Sequence, residues 1–154
     1  MGRNRFAGPS IPHRISLSDG DWIEVRKFLN NGEAKRLEAA GLMSPIRTAP
    51  TETNPQGEIL TPIDMERYEL ERAAVYLLDW SFRNEADKSI PLNGRDGSVD
   101  LGALRALTPE DFEEMNRAIV AHIIVMAKEK KAQREAAAKT AKEAALPESV
   151  PALQ

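Results

Sequence analysis

Residues 74 to 82 read AVYLLDWSF, the most apolar stretch of a chain otherwise cut up by charge, and they carry one of its two tryptophans. The run is far too short to cross a bilayer, which takes about 20 apolar residues, and Asp79 interrupts it. What it packs against decides the fold. Upstream, Thr61-Pro62 has the form of a helix start, a capping hydroxyl followed by proline at the first helical position. From Ile63 to about Phe82 the residues Leu70, Ala73, Ala74, Leu77, Leu78 and Ser81 recur at steps of three and four. That spacing predicts one helix, solvated in its Glu/Arg-rich first half and buried on more than one side in its second.

The partner for that buried half lies downstream. Thr108-Pro109-Glu110-Asp111 combines a capping residue, a first-position proline and acids that complement the helix macrodipole. Phe112, Met115, Ile119, His122 and Met126 then follow at helical spacing. A short helix over 98 to 107, with Ser98 as cap and Leu101, Leu104 and Leu107 apolar, completes the expected enclosure of AVYLLDWSF. Beyond Ala127 the sequence becomes KEKKAQREAAAKTAKEAA, which favours helix by propensity and by Lys/Glu pairs rather than by a core. A continuous helix from 109 to 145 would be roughly 55 Å long.

Nearer the N-terminus, residues 1 to 20 hold Arg3, Arg5, Arg14 and two prolines, the composition of an extended arm. DWIEVRKFL, from Asp21, alternates with period two and predicts a short strand. NNGEAKRLEAAGL predicts a helix of two to three turns between an Asn31 cap and a Gly41 stop. Residues 43 to 62, with four prolines, read as a long loop of the kind that is either mobile or functional. The expected fold class is therefore mainly α: a small helical domain with one short N-terminal strand or hairpin, an extended N-terminal arm and a long C-terminal helix. The expected division is an arm over 1-20, a helical domain over 21-127, and a helical extension with a disordered tail over 128-154.

Composition narrows the function. The 154 residues carry a net charge of -3 and no basic stripe, which argues against nucleic acid as a partner. A regulatory domain gripping nucleic acid through Arg3, Arg5, Arg14 and the lysine-rich helix is the reading this weighs against. Zero cysteines remove disulfides, thiolate catalysis and most zinc sites, and suit a cytosolic life. No apolar run is long enough for a transmembrane helix or signal peptide, so a soluble, unexported protein is expected.

Candidate chemistry is sparse. His122 sits on the apolar stripe with no second histidine nearby, which makes it a packing residue rather than a metal ligand. The acid pairs Glu110-Asp111 and Glu113-Glu114 stand where a helix N-terminus attracts carboxylates. DGD at 19 to 21 lacks the glycine and glutamate register of a calcium loop, and NGRDG at 93 to 97 lacks the lysine of a phosphate loop. Lys128, Lys130, Lys131 and Arg134 are interleaved with Glu129 and Glu135, as on a solvated helical face. By elimination the chain is expected to bind rather than catalyse, with no cofactor and no metal.

The order of segments carries a resemblance. DWIEVRKFLNNGEAKRLEAAGL, a proline-rich loop, and then ERAAVYLLDWSFRNEADKSIPLNGRDGSVDLGALRALTPEDFEEMNRAIVAHI is similar to the tail assembly chaperones of long-tailed (siphovirus) bacteriophages. The resemblance covers roughly residues 20 to 126; Met115 departs from it, where an aliphatic residue is usual. It implies a transient helper in the host cytoplasm that coats the tape measure protein, keeps it soluble and recruits tail tube subunits, with self-association left open. It also implies a longer form made by programmed frameshifting, for which an A-rich run at Glu129-Lys130-Lys131 is the expected slip site. A tail completion or connector protein that stays in the virion is the alternative. Trp22, Leu77, Leu78, Trp80, Phe112, Met115, Ile119 and Met126 are the candidates for the core or for a groove that takes the client.

Overall fold

A computed structural model describes residues 11 to 145. The chain divides into two compact units, one ending at Ile119 and one beginning at Val120. The first holds β1 (Pro12–Ser16), a 3-10 turn at Ser18–Gly20, β2 (Trp22–Arg26), α1 (Asn31–Ala39), β3 (Ile46–Arg47), β4 (Ile59–Leu60), α2 (Met65–Tyr76), β5 (Leu77–Trp80) and α3 (Leu101–Arg105). The last helix, α4 (Pro109–Ala144), begins in the first unit, and its later turns make up the helical part of the second.

The fold is not mainly α. Of the described residues 48% are helical and 18% extended, and an antiparallel sheet of order β1-β2-β5 organises the first unit. The decisive difference lies in AVYLLDWSF, where the helix stops at Tyr76 and the chain continues directly as β5. A run of consecutive apolar residues satisfies a buried strand as well as a buried helix, so periodicity alone does not separate them. Pairing with β2 decides the outcome. Ile23 lies opposite Trp80 and Val25 opposite Leu77, with a bulge that accommodates Leu78. Local polar groups reinforce the stop: Asp79 Oδ1 accepts from the Trp80 amide at 2.8 Å, a side-chain bond that competes with helix continuation. Ser81 Oγ accepts from the Trp22 amide at 2.9 Å and donates to Asp21 at 2.8 Å.

The expected arm is also corrected over its described part. Pro12–Ser16 forms the edge strand β1, with Ile15 opposite Ile23 and Ser16 opposite Trp22. Arg14 donates to Glu24 at 2.8 Å, and its guanidinium lies 3.8 Å from the centre of the Trp22 ring. Ser18 then ties the strand to α4, its amide and hydroxyl donating to the Glu114 carboxylate at 2.7 and 2.8 Å. Residues 1 to 10, and the tail beyond 145, lie outside the described residues.

Helix starts shift in ways the caps explain. Asn30, not Asn31, caps α1 in a reciprocal capping box with Glu33. Asp64 caps α2 in place of Thr61, because the backbone at 41 to 43 and 62 to 64 is engaged in pairing: Asp64 donates its amide to the Gly41 carbonyl and Met43 to that of Pro62. Asp100 rather than Ser98 caps α3, and Ser98 instead bonds Asp96 across a tight turn. The proline-rich stretch expected as a loop contains a two-stranded ribbon, with Ile46 opposite Leu60 and Arg47 opposite Ile59.

Ile23 and Val25 on one face of β2 are fully buried, as are Leu77, Leu104, Met115 and Ile119. The sheet therefore supplies a share of the core that a purely helical arrangement would have taken from α2 alone.

Candidate functional site

Three caps set the walls of an apolar cleft in the first unit. Asp64 accepts from the Arg67 amide at 3.0 Å and fixes the start of α2, which presents Glu66 and Leu70. Asp100 accepts from the Gly102 amide at 2.8 Å and starts the short α3, which contributes Leu104 and Arg105. Thr108 Oγ1 donates to Asp111 at 2.7 Å and accepts from the Asp111 amide at 3.2 Å, opening α4 and presenting Pro109 and Phe112. Leu107, between α3 and α4, completes the lining.

The cleft has a volume of about 340 Å³. Leu70 and Leu104 are buried and form its floor, whereas Leu107 and Phe112 are half-buried and stand in its walls. Its titratable lining residues are Glu66 and Arg105, both exposed. These two also line an adjoining hollow of about 450 Å³, together with Asp64, Arg67, Leu70 and Glu71. Glu71 is engaged there by the Arg36 guanidinium at 2.7 Å. An apolar slot with an acid and a guanidinium at its mouth can seat a large apolar side chain and hold the polar groups beside it.

The residues singled out from the sequence are distributed as follows. Leu77, Trp80, Met115, Ile119 and Met126 are buried, and Trp22 and Leu78 are half-buried. Leu78 lines a separate hollow of about 300 Å³ with Arg26, Ala74 and Val99. Phe112 alone of the eight lines the apolar cleft. The cleft residues not singled out are Leu70, Leu104, Leu107, Pro109, Glu66 and Arg105. A signal for them exists in the sequence, because the Leu104-Leu107 pair runs into Thr108-Pro109, where one helix must end and another begin.

His122, on α4, is buried. Among the described residues no group of three or more histidine, aspartate or glutamate side chains is placed to hold a metal ion, and no helix is long and apolar enough to cross a membrane. Displaced pKa values fall at Tyr76, Glu114 and Asp96. Burial, with Tyr68 nearby, raises Tyr76. The Ser18 amide and hydroxyl lower Glu114, and the Ser98 hydroxyl and amide lower Asp96. None of the three lines the cleft, and Glu114 and Asp96 each hold a serine.

No protein-family model, no curated protein and no solved structure matches the chain.

Proposed function

We propose that this chain is a non-enzymatic tail assembly chaperone of a long-tailed bacteriophage, acting in the host cytoplasm. In this reading it binds amphipathic helices of the tape measure protein, keeps that protein in solution and recruits tail tube subunits. The observation that carries the proposal is the apolar cleft between α2, α3 and the start of α4, lined by Leu70, Leu104, Leu107 and Phe112. A helix laid along it would insert one or two large apolar side chains, the usual anchoring mode of helix-in-groove recognition. Glu66 and Arg105 at the mouth would select the polar residues flanking those anchors. The ordered resemblance over residues 20 to 126 supplies the client's identity.

The test is co-expression with the product of a long helical reading frame next to this chain's gene, the tape measure protein that the proposal expects there. The proposal expects the client to remain soluble and to co-purify with the chain, and the chain to be missing from purified virions by mass spectrometry. A client that aggregates equally with and without the chain would refute the chaperone reading. Presence of the chain in mature particles at fixed stoichiometry would instead favour the structural virion component.

A further inference from the structure

The apolar cleft and the hollow beside it share a wall. Glu66, Leu70 and Arg105 line both, so the space of about 340 Å³ over Leu107 and Phe112 stands next to one of about 450 Å³. Apart from Leu70 and Leu101, the lining of the second is charged throughout.

The acids of this hollow are already used by the fold. Asp64 caps α2, accepting from the Arg67 amide at 3.0 Å. Glu66 stands in the first turn of the same helix, where a carboxylate complements the positive end of the macrodipole. Glu71 accepts from the Arg36 guanidinium at 2.7 Å. The arginines are in a different position. Elsewhere in the first unit Arg26 is tied to the Val75 carbonyl at 3.0 Å and Arg72 to Asn116 at 2.8 Å. The guanidiniums of Arg67 and Arg105 have no hydrogen-bond or ion-pair partner among the described residues. Both line the hollow, Arg67 from α2 and Arg105 from α3, and both are exposed. Even with Glu66 set against them, the groups left uncommitted carry a net positive charge. A guanidinium is permanently charged, and its planar fork of N–H donors matches a carboxylate.

On a helix, residues three or four apart share a face, with about 5 to 6 Å between their Cβ atoms. A helix laid across the shared wall therefore presents one side chain to the cleft and the next one on that face to the hollow. We infer that the site reads two side chains of its client: a large apolar one seated against Leu107 and Phe112, and an acidic one a helical turn away, its carboxylate held between Arg67 and Arg105. This rests on the cleft being the client site and adds the client's chemistry. The preferred partner is an acidic amphipathic helix, and a basic helix of equal hydrophobicity is turned away by the same two arginines.

Three synthetic helices test this against the full chain by fluorescence anisotropy. They carry the same stripe of leucine and one phenylalanine, and are acetylated and amidated so that no terminal charge takes part. They differ only one turn to either side of the phenylalanine, where both positions hold glutamate, glutamine or lysine. The wild-type chain should bind the glutamate peptide about threefold to tenfold more tightly than the glutamine peptide, the order expected of a carboxylate shared by two exposed guanidiniums. The lysine peptide should bind least tightly. The preference should shrink as salt rises from about 50 to about 500 mM. Arg67→Gln/Arg105→Gln should remove it, and Leu107→Gln should weaken all three peptides alike. Both arginines are exposed, so circular dichroism should show the double variant folded, and the ranking of peptides on the wild-type chain needs no variant at all. Equal affinities, or a preference for lysine, overturn the inference and leave the cleft reading standing where Leu107→Gln still weakens binding. A glutamate preference that survives the double arginine variant overturns it too. Absence of binding, or binding that Leu107→Gln leaves untouched, removes the cleft reading itself and this inference with it.

Discussion

Trp80→Phe probes the segment whose conformation decides the fold. Trp80 is 4% exposed, its indole N–H donates to the Ile90 carbonyl at 2.7 Å, and its ring centre lies 5.1 Å from that of Phe82 at a tilt of 50°. Phenylalanine keeps the ring pair and loses the donor. The Ile90 carbonyl is only part-buried, so leaving it without this partner costs the lower part of the range for an unsatisfied group, about 1 to 2 kcal/mol. The smaller ring vacates roughly 40 Å³, which at about 24 cal/mol per Å³ adds roughly 1 kcal/mol. The expected loss is therefore about 2 to 3 kcal/mol, a large fraction of the roughly 5 to 15 kcal/mol that holds a domain together. Trp80→Ala removes the ring pair as well and should cost about 4 to 5 kcal/mol. Urea unfolding followed by far-UV circular dichroism measures both, with Trp22 remaining as a fluorescent probe. A Trp80→Phe cost below about 0.5 kcal/mol at unchanged denaturant dependence would refute the buried, hydrogen-bonded placement of this side chain and the β5 register with it.

Further consequences can be measured on the same footing. Gly41 has φ +76°, and a Cβ there would lie 2.6 Å from the Asp64 carbonyl oxygen, so Gly41→Ala should destabilise by about 1 to 3 kcal/mol in urea unfolding. Asn30→Ala breaks the α1 capping box and should cost about 1 kcal/mol by the same assay. The Ser18 hydrogen bonds hold the Glu114 pKa below its unfolded value. Their stabilising contribution is therefore present above the unfolded pKa and lost as pH falls through the folded one. The difference in melting temperature between wild type and Glu114→Gln should be largest near neutrality and shrink under strongly acidic conditions.

What the sequence showed in advance follows from where local signals dominate. The Thr108-Pro109 start of α4, the alternation of Trp22–Arg26 and the Gly41 stop are each written in one or two residues whose backbone preferences leave little choice. The transition at Tyr76–Leu77 has no such punctuation. Leu77 and Leu78 fit a helical stripe, and pairing with β2, some 50 residues earlier in the chain, makes a strand the better solution. The same holds for Pro12–Ser16, whose isolated composition is that of an arm and whose strand exists through pairing with Trp22–Arg26. The Leu42–Ile63 ribbon was hidden by its prolines, which mark turns and blunt edges but leave the short pairings intact. Phe112 was visible as part of the α4 stripe; its place in the cleft depends on Leu70 and Leu104 arriving from other elements.

Binding of a tape measure helix at the cleft is the centre of the functional account, and titration calorimetry of that polypeptide against wild type, Leu107→Gln and Phe112→Ala tests it most directly. Both side chains are half-buried and line the cleft, so each variant should remain folded by circular dichroism. Removing a seated apolar anchor costs about 2 kcal/mol or more, so affinity should fall at least about thirtyfold in each. Undiminished affinity in both folded variants would contradict the assignment of the cleft as the client site.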